Sequence, residues 1–205
     1  MQIEGIENLL KPLNEGTGVI LLSAHFTSLE ASGRVLKLHI PPFDGVYREH
    51  KSPFITEFLR SSREKSIRQA IEKNDIKTMV RSLRQGVAVW YAPDQSYSGK
   101  QSALVDFFGV PSMTNTATSS LGRLGRAVAV PYFPRRLKDG SYKLTLSPAI
   151  DGFPSGDSVV DAGIYNSILE EQIRQCPEQY YWVHKKFKNR PAPLPDVYAD
   201  LDSLK

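Results

Sequence analysis

The stretch GVILLSAHFTSLEASGR, residues 18–34, decides how the rest of the chain is read. It begins with Val, Ile and Leu in an unbroken run, set off by Gly16 and Gly18, the pattern of a strand buried on both faces. From Thr27 to Leu38 the spacing changes: Leu29, Gly33, Leu36 and Ile40 fall roughly on one helical face, and Pro41-Pro42 ends the pattern. A single histidine, His25, sits where strand gives way to helix, and Glu30 follows five residues later.

The same alternation continues along the chain. FDGVYR (43–48) predicts a short strand, Pro53 opens a helix through about Arg63, and Ile76–Leu83 is an amphipathic helix closed at Gly86. VAVWYAPDQ (87–95) is a second buried strand running into a loop. SYSGKQSALVDFFGVPS (96–112) has no clear periodicity and reads as a loop carrying Leu104, Phe107, Phe108 and Val110. Thr114–Leu124 predicts a helix and AVAVPYF (127–133) a third strand. RRLKDGSYKLTL (135–146) places Asp-Gly between two alternating runs, a hairpin signal. Val159–Gln175 is a long helix ended at Pro177, and Pro191, Pro193 and Pro195 predict an extended tail over 191–205. Strands alternating with helices, without repeats or linkers, give an α/β class: a single domain over 1–205 with a mostly parallel central sheet flanked by helices.

Composition narrows the chemistry. The chain has 205 residues, enough for a substantial core, and a net charge of +4 that favours anionic partners. The excess is uneven, being concentrated in Arg34–Arg84 and in HKKFKNR (184–190). One cysteine, Cys176, excludes a disulfide framework, and the four histidines lack metal-ligand spacing, so no metal site is expected. No stretch approaches the ~18 consecutive apolar residues of a spanning helix, and the amino end does not read as a signal peptide. The basic residues are not interleaved with stacking aromatics as a nucleic-acid module requires, except in YYWVHKKFK, so no nucleic-acid partner is expected.

His25 stands at the carboxyl end of a buried strand, where sites form in open α/β sheets. Glu30, in the first turn of the next helix, can fold back toward the imidazole. A carboxylate on one ring nitrogen fixes the tautomer and leaves the other to accept a proton from a hydroxyl. No G-x-S-x-G elbow supplies a nucleophile, so the pair points to direct attack by an external hydroxyl. A structural alternative stands beside it: Thr27-Ser-Leu-Glu30 is a capping box, in which the glutamate serves the helix start. Asp94 and Gln95 end the second buried strand; a turn after Pro93 explains Asp94 equally well. Arg48 and the arginines of RSSREKS (60–66) offer phosphate-binding guanidiniums, or else a solvated basic face. GKQ (99–101) is not a phosphate loop, because Gln101 stands where Ser or Thr is required.

Taken together, these segments resemble the late acyltransferases of bacterial lipid A biosynthesis, within the wider glycerolipid acyltransferase group marked by His, four residues, then Asp or Glu. HFTSLEASGR is similar to the first block of that family, VYREHKSPFITEFLRSSR to its second and AVWYAPDQSY to its third. PEQYYWVHKKFKNRP is similar to its carboxyl-terminal signature. The resemblance implies a glycerolipid acyltransferase-like fold and an O-acyltransferase in which His25 is the general base and Glu30 its orienting partner. It further implies that Arg63, with Arg48, holds an acceptor phosphate, and that Asp94 and Gln95 shape the substrate site. The implied donor is a fatty acyl thioester on acyl carrier protein or coenzyme A, the acceptor a hydroxyl of a lipid A precursor, with no metal or organic cofactor. Members of the family carry a membrane anchor ahead of the first block, whereas 24 residues precede His25 here. The expectation is therefore peripheral attachment to the cytoplasmic face of the inner membrane, aided by apolar residues of the 102–113 loop. Two rivals stay open: another lipid acceptor (a lysophospholipid, glycolipid or amino-acid lipid), and a non-catalytic binder of anionic membrane surfaces.

Overall fold

The apolar run Val19–Leu22 is buried along its whole length because both of its faces are covered. In the computed structural model, which describes residues 2–202, the chain forms in order β1 (Gln2–Glu4), α1 (Glu7–Asn14), β2 (Val19–Leu22), α2 (Leu29–Leu36), β3 (Asp44–Tyr47), α3 (Pro53–Glu64), β4 (Gln69–Glu72), α4 (Ile76–Arg84) and β5 (Ala88–Tyr91). A hairpin, β6 (Ser102–Phe107) and β7 (Val110–Asn115), leads into α5 (Ala117–Gly125), β8 (Val128–Arg136), β9 (Tyr142–Leu146), α6 (Ser158–Gln175) and α7 (Ala199–Asp202). Seven strands make one sheet in the order β1-β9-β8-β2-β5-β3-β4. Every neighbouring pair in it is parallel except β8–β9, which is the hairpin turning through Asp139-Gly140.

Alternation along β2 divides the core. Ile20 and Leu22 face a cluster with Met79 and Leu83 of α4, Leu121 of α5 and Leu169 and Ile173 of α6. Val19 and Leu21 face a second cluster with Leu9 of α1 and Leu36 of α2. Complete burial of such side chains contributes roughly 1.5–3 kcal/mol each, so a strand with no polar face is stable only with helices on both sides. Among the described residues no helix is long and apolar enough to cross a membrane.

Three expectations change. Residues 96–112 are not a loop: Phe107 pairs with Val110 across a two-residue turn in which Phe108 and Gly109 both take positive φ, 51° and 71°. Such turns match strand twist but ordinarily announce themselves by Asn-Gly or Asp-Gly, and a phenylalanine in that place hides the hairpin. Its apolar residues face inward: Phe107 and Val105 are buried, and the Phe108 amide donates to Glu170 Oε1 on α6 at 2.7 Å. Of the expected membrane-facing apolar set of 102–113, Leu104 is the one large side chain that is exposed. Thr114, expected to start a helix, belongs to β7, and the helix begins at Ala117. Nor is the tail extended. Tyr198 turns back to accept a hydrogen bond from the Phe187 amide at 3.0 Å, and α7 follows; residues 203–205 of the expected tail lie outside the described residues. Proline fixes its own φ but leaves the bends between prolines open.

Gly18 sets how closely β2 and α4 approach. A Cβ there would lie 2.1 Å from the Leu83 carbonyl oxygen, whereas one at Gly33, on α2, meets nothing within 4 Å. Gly18→Ala is expected to lower unfolding stability by about 1–3 kcal/mol. Gly33→Ala should raise it by about 0.5–1 kcal/mol, from helix propensity alone. Urea denaturation of the two variants against the parent checks both signs.

Candidate active site

Strand register brings the site together. In the parallel pair β2–β5, Leu22 stands opposite Tyr91, and the Ser23 amide donates to the Tyr91 carbonyl at 2.9 Å as the last rung. His25 and Asp94 each lie three residues beyond the Leu22–Tyr91 pair, so the two strands deliver them side by side at the carboxyl edge of the sheet. His25 Nδ1 and Asp94 Oδ1 are 2.7 Å apart, and the His25 amide donates to Asp94 Oδ2 at 3.1 Å. An ionised carboxylate only accepts, so Nδ1 carries the proton and Nε2 presents its lone pair. Among the described residues nothing hydrogen-bonds Nε2, and His25 lines a cleft of about 940 Å³, at the upper end of the roughly 300–1,000 Å³ of small-molecule sites.

Asp94 is 1% exposed and lies behind the imidazole. Burial alone would raise its carboxyl pKa; the bonds and charge of His25, with the charge of Lys186, outweigh it and hold the group below the ordinary carboxylate range. For His25, burial disfavours the imidazolium, but the hydrogen bond and charge of Asp94 outweigh both burial and the opposing charge of Arg63, and the pKa moves up from 6.5.

The expected His25–Glu30 pairing is corrected by this geometry. Glu30 Oε1 accepts from Arg63 at 2.6 Å (Nη2) and 3.1 Å (Nε), and Asp94 takes the ring nitrogen assigned to it. Glu30 makes no capping box either: α2 starts at Leu29, its cap residue Ser28 makes no side-chain cap bond, and the Ser28 hydroxyl donates instead to the Pro134 carbonyl at 3.3 Å. With Asp94 supplied across the sheet, the glutamate is free to meet the guanidinium delivered by the end of α3. Glu30, Arg63, Arg48 and Gln95 all line the same cleft as His25. So do the cations Arg34, Lys51 and Lys73, and the apolar side chains Leu29, Leu36, Phe43, Ile67 and Trp90. The cleft therefore has both a cation-rich rim and an apolar wall.

Two residues with a direct part in this arrangement escaped the sequence reading. The Tyr180 hydroxyl donates to Asp94 Oδ2 at 3.2 Å, and Lys186 Nζ donates to the Asp94 backbone carbonyl at 2.7 Å. Lys186 is 2% exposed and its ammonium lies 5.0 Å from the centre of the Phe107 ring. Burial draws its pKa down to about 8 against the pull of Asp94. The available signal was YYWVHKKF itself: a lysine among aromatics is placed to be buried over a ring, which the basic cluster around it disguised. His184 in the same segment accepts from the Ser96 amide at 3.0 Å through Nε2, and burial with the Lys188 charge lowers its pKa to about 4.

The geometry is thus a histidine backed by a buried carboxylate and opening onto a cleft with cationic and apolar walls. The chain belongs to the bacterial lipid A biosynthesis acyltransferase family, whose match covers residues 1–189. It is 34% identical over 198 residues to the lipid A biosynthesis palmitoleoyltransferase of Escherichia coli (strain K12), covering 96% of this chain and 64% of that protein. It is likewise 34% identical over 199 residues to the lipid A biosynthesis lauroyltransferase of the same organism, covering 96% and 65%. A lipid A biosynthesis myristoyltransferase of that strain is 27% identical over 191 residues, 91% of this chain and 58% of that protein. The chain thus spans just under two thirds of the length of the first two relatives.

The electrostatics predict an assignment by NMR. His25 should titrate above 6.5 and His184 near 4. In Asp94→Asn the upward contributions to His25 vanish while burial and Arg63 remain, so its pKa should fall below 6.5. An unmoved His25 titration in a folded variant would dissolve the pair.

Proposed function

We propose that this protein is an O-acyltransferase that moves a fatty acyl group from an acyl thioester, carried by acyl carrier protein, to a hydroxyl of a lipid A precursor. The observation that carries the reading is the 2.7 Å His25–Asp94 bond with Nε2 left for the cleft. Family membership supports the reaction class, and the names of the relatives support the acceptor.

In this scheme Nε2 of His25 takes the proton of the acceptor hydroxyl as its oxygen attacks the thioester carbonyl. The new C–O bond forms a tetrahedral intermediate; its collapse breaks the C–S bond, and the imidazolium returns its proton to the departing thiolate. An ester and a free carrier thiol result, with no covalent acyl-enzyme and no cofactor called upon. Asp94 holds the Nδ1–H tautomer and stabilises the imidazolium. Arg63 and Arg48 bind the acceptor phosphate, since guanidinium forks match its oxygens, and Glu30 aims Arg63. Gln95 contributes to the wall beside the base. Cys176 takes no part: it is 4% exposed, and burial moves its thiol pKa up. The reading places the protein peripherally on the cytoplasmic face of the inner membrane, where both co-substrates meet.

The test supplies acyl-acyl carrier protein and a phosphorylated, sugar-bearing lipid A precursor, with ester formation read by mass spectrometry and carrier thiol by titration. His25→Ala should cost on the order of 10²–10⁴ in kcat. Arg63→Ala should act mainly on KM for the acceptor. Unreduced turnover by folded His25→Ala removes the general base. Transfer to lysophospholipid but not to the precursor replaces the acceptor.

A further inference from the structure

The second-block helix α3 buries none of its 12 residues. Phe54 is 79% and Phe58 63% exposed, and Ile55 and Leu59 are each 38% exposed. Positions 54, 55, 58 and 59 share one helical face, so these four side chains form a single apolar stripe. The charged residues of α3 are paired away from the stripe: Arg60 bonds Glu57 and Glu64, and Arg63 bonds Glu30 of α2. Large apolar side chains left this open mark an interaction surface.

Two observations identify its partner. The first is charge. Residues 34–84, which contain α3, carry 12 Lys and Arg against six Asp and Glu, more than the +4 excess of the whole chain. Arg48, Lys51 and Lys73 from this segment also line the cleft. A second copy docked symmetrically on the stripe would set that positive excess against itself, whereas an anionic surface complements it. The second is continuity. Leu59 of the stripe and Ile76, 41% exposed at the start of α4, both line the cleft that holds His25. The apolar surface runs into the mouth of the site.

We infer that α3 is a membrane-docking element, lying in the headgroup boundary of an anionic bilayer with Phe54, Ile55, Phe58 and Leu59 inserted and the neighbouring Lys51 and Lys73 on lipid phosphates. This is the geometry of an interfacial amphipathic helix, with apolar side chains in the acyl boundary and cations at headgroup level. Resting on the acyltransferase reading, it also gives the lipid acceptor a route: its acyl chains pass from bilayer to cleft along Leu59 and Ile76 without crossing water. The docking helix is thus α3, not the 102–113 hairpin.

The experiment is vesicle flotation of the full chain with phosphatidylethanolamine–phosphatidylglycerol vesicles and with phosphatidylcholine vesicles. Binding should favour the anionic vesicles and weaken with salt. The Phe54→Ser/Phe58→Ser double variant, which changes no residue of the cleft, should bind at least about tenfold more weakly, a loss of about 1.4 kcal/mol. Its thermal unfolding and its turnover of a detergent-dispersed acceptor should match the parent. Equal vesicle binding by parent and variant overturns the proposal. So does a parent that binds neither vesicle while the stripe mediates self-association in sedimentation velocity, or capture of acyl carrier protein. Stripe-dependent vesicle binding with no turnover of any acyl donor sustains the docking surface and fails the catalytic reading alone.

Discussion

The hydrogen bond between His25 and Asp94 depends on a coincidence of register that the sheet enforces. Both residues lie three positions past a paired rung of two parallel, fully in-register strands, so any slip of β5 against β2 would separate them by the rise of a residue, about 3.3 Å. One carboxylate receives both the ring N–H and the backbone N–H of His25, fixing the imidazole in position and tautomer together. Placing Asp94 at 1% exposure carries the cost of withdrawing an ion from water, several kcal/mol where no partner compensates. The surrounding structure is arranged to supply those partners.

The supply comes from the far end of the sequence. After α6 the chain recrosses the carboxyl edge of the sheet: the Thr27 amide donates to the Gln179 carbonyl at 2.8 Å, and the Tyr181 amide to the His25 carbonyl at 3.0 Å. That crossing sets the Tyr180 hydroxyl on the carboxylate and the Lys186 ammonium on the carbonyl of the same aspartate. Burial and the nearby Asp94 charge raise the Tyr180 pKa so far that its hydroxyl remains a donor. Lysine suits its place because a compact ammonium on a thin apolar stem can be threaded through a core, where a guanidinium has five donors to satisfy. Phe107, at the tip of the β6–β7 hairpin, provides the ring under that ammonium. The hairpin, the carboxyl-terminal segment and the strand ends therefore form one polar centre inside an apolar shell.

These relations explain what the amino-acid sequence disclosed. β2, α3, α4 and the β8–β9 hairpin were legible because each is specified locally, by an apolar run, a proline at a helix start, a helical stripe or an Asp-Gly turn. The position of His25 was legible too, since a histidine directly after a buried strand falls at the sheet edge. The partner of that histidine was not. Glu30 is near in sequence, but proximity along a helix start says nothing of a neighbouring strand 69 residues on. The β6–β7 hairpin was hidden because its turn uses Phe108 at positive φ, held by contacts with α6 that no local pattern encodes. Lys186 was read only as part of the basic cluster 184–190, because burial of a charge follows from tertiary contacts alone.

The displaced glutamate then acquires a different task. Glu30 and Arg63 keep side-chain exposures of 60% and 32%, so their bond is of the kind that contributes only about 0.2–1 kcal/mol and opens readily. Arg63 spends Nε and Nη2 on a single Glu30 oxygen, and among the described residues its Nη1 makes no hydrogen bond. In the proposed function, an anionic acceptor thus joins the guanidinium without a large penalty for displacing the glutamate. Arg63 also lowers the pKa of His25 by its charge. In the proposed reaction, a phosphate that neutralises Arg63 removes that opposition and makes the imidazole more basic at the moment the hydroxyl arrives. In that scheme the acid of the first block acts on the base at second hand, by keeping an arginine aimed and available, while Asp94 acts on it directly.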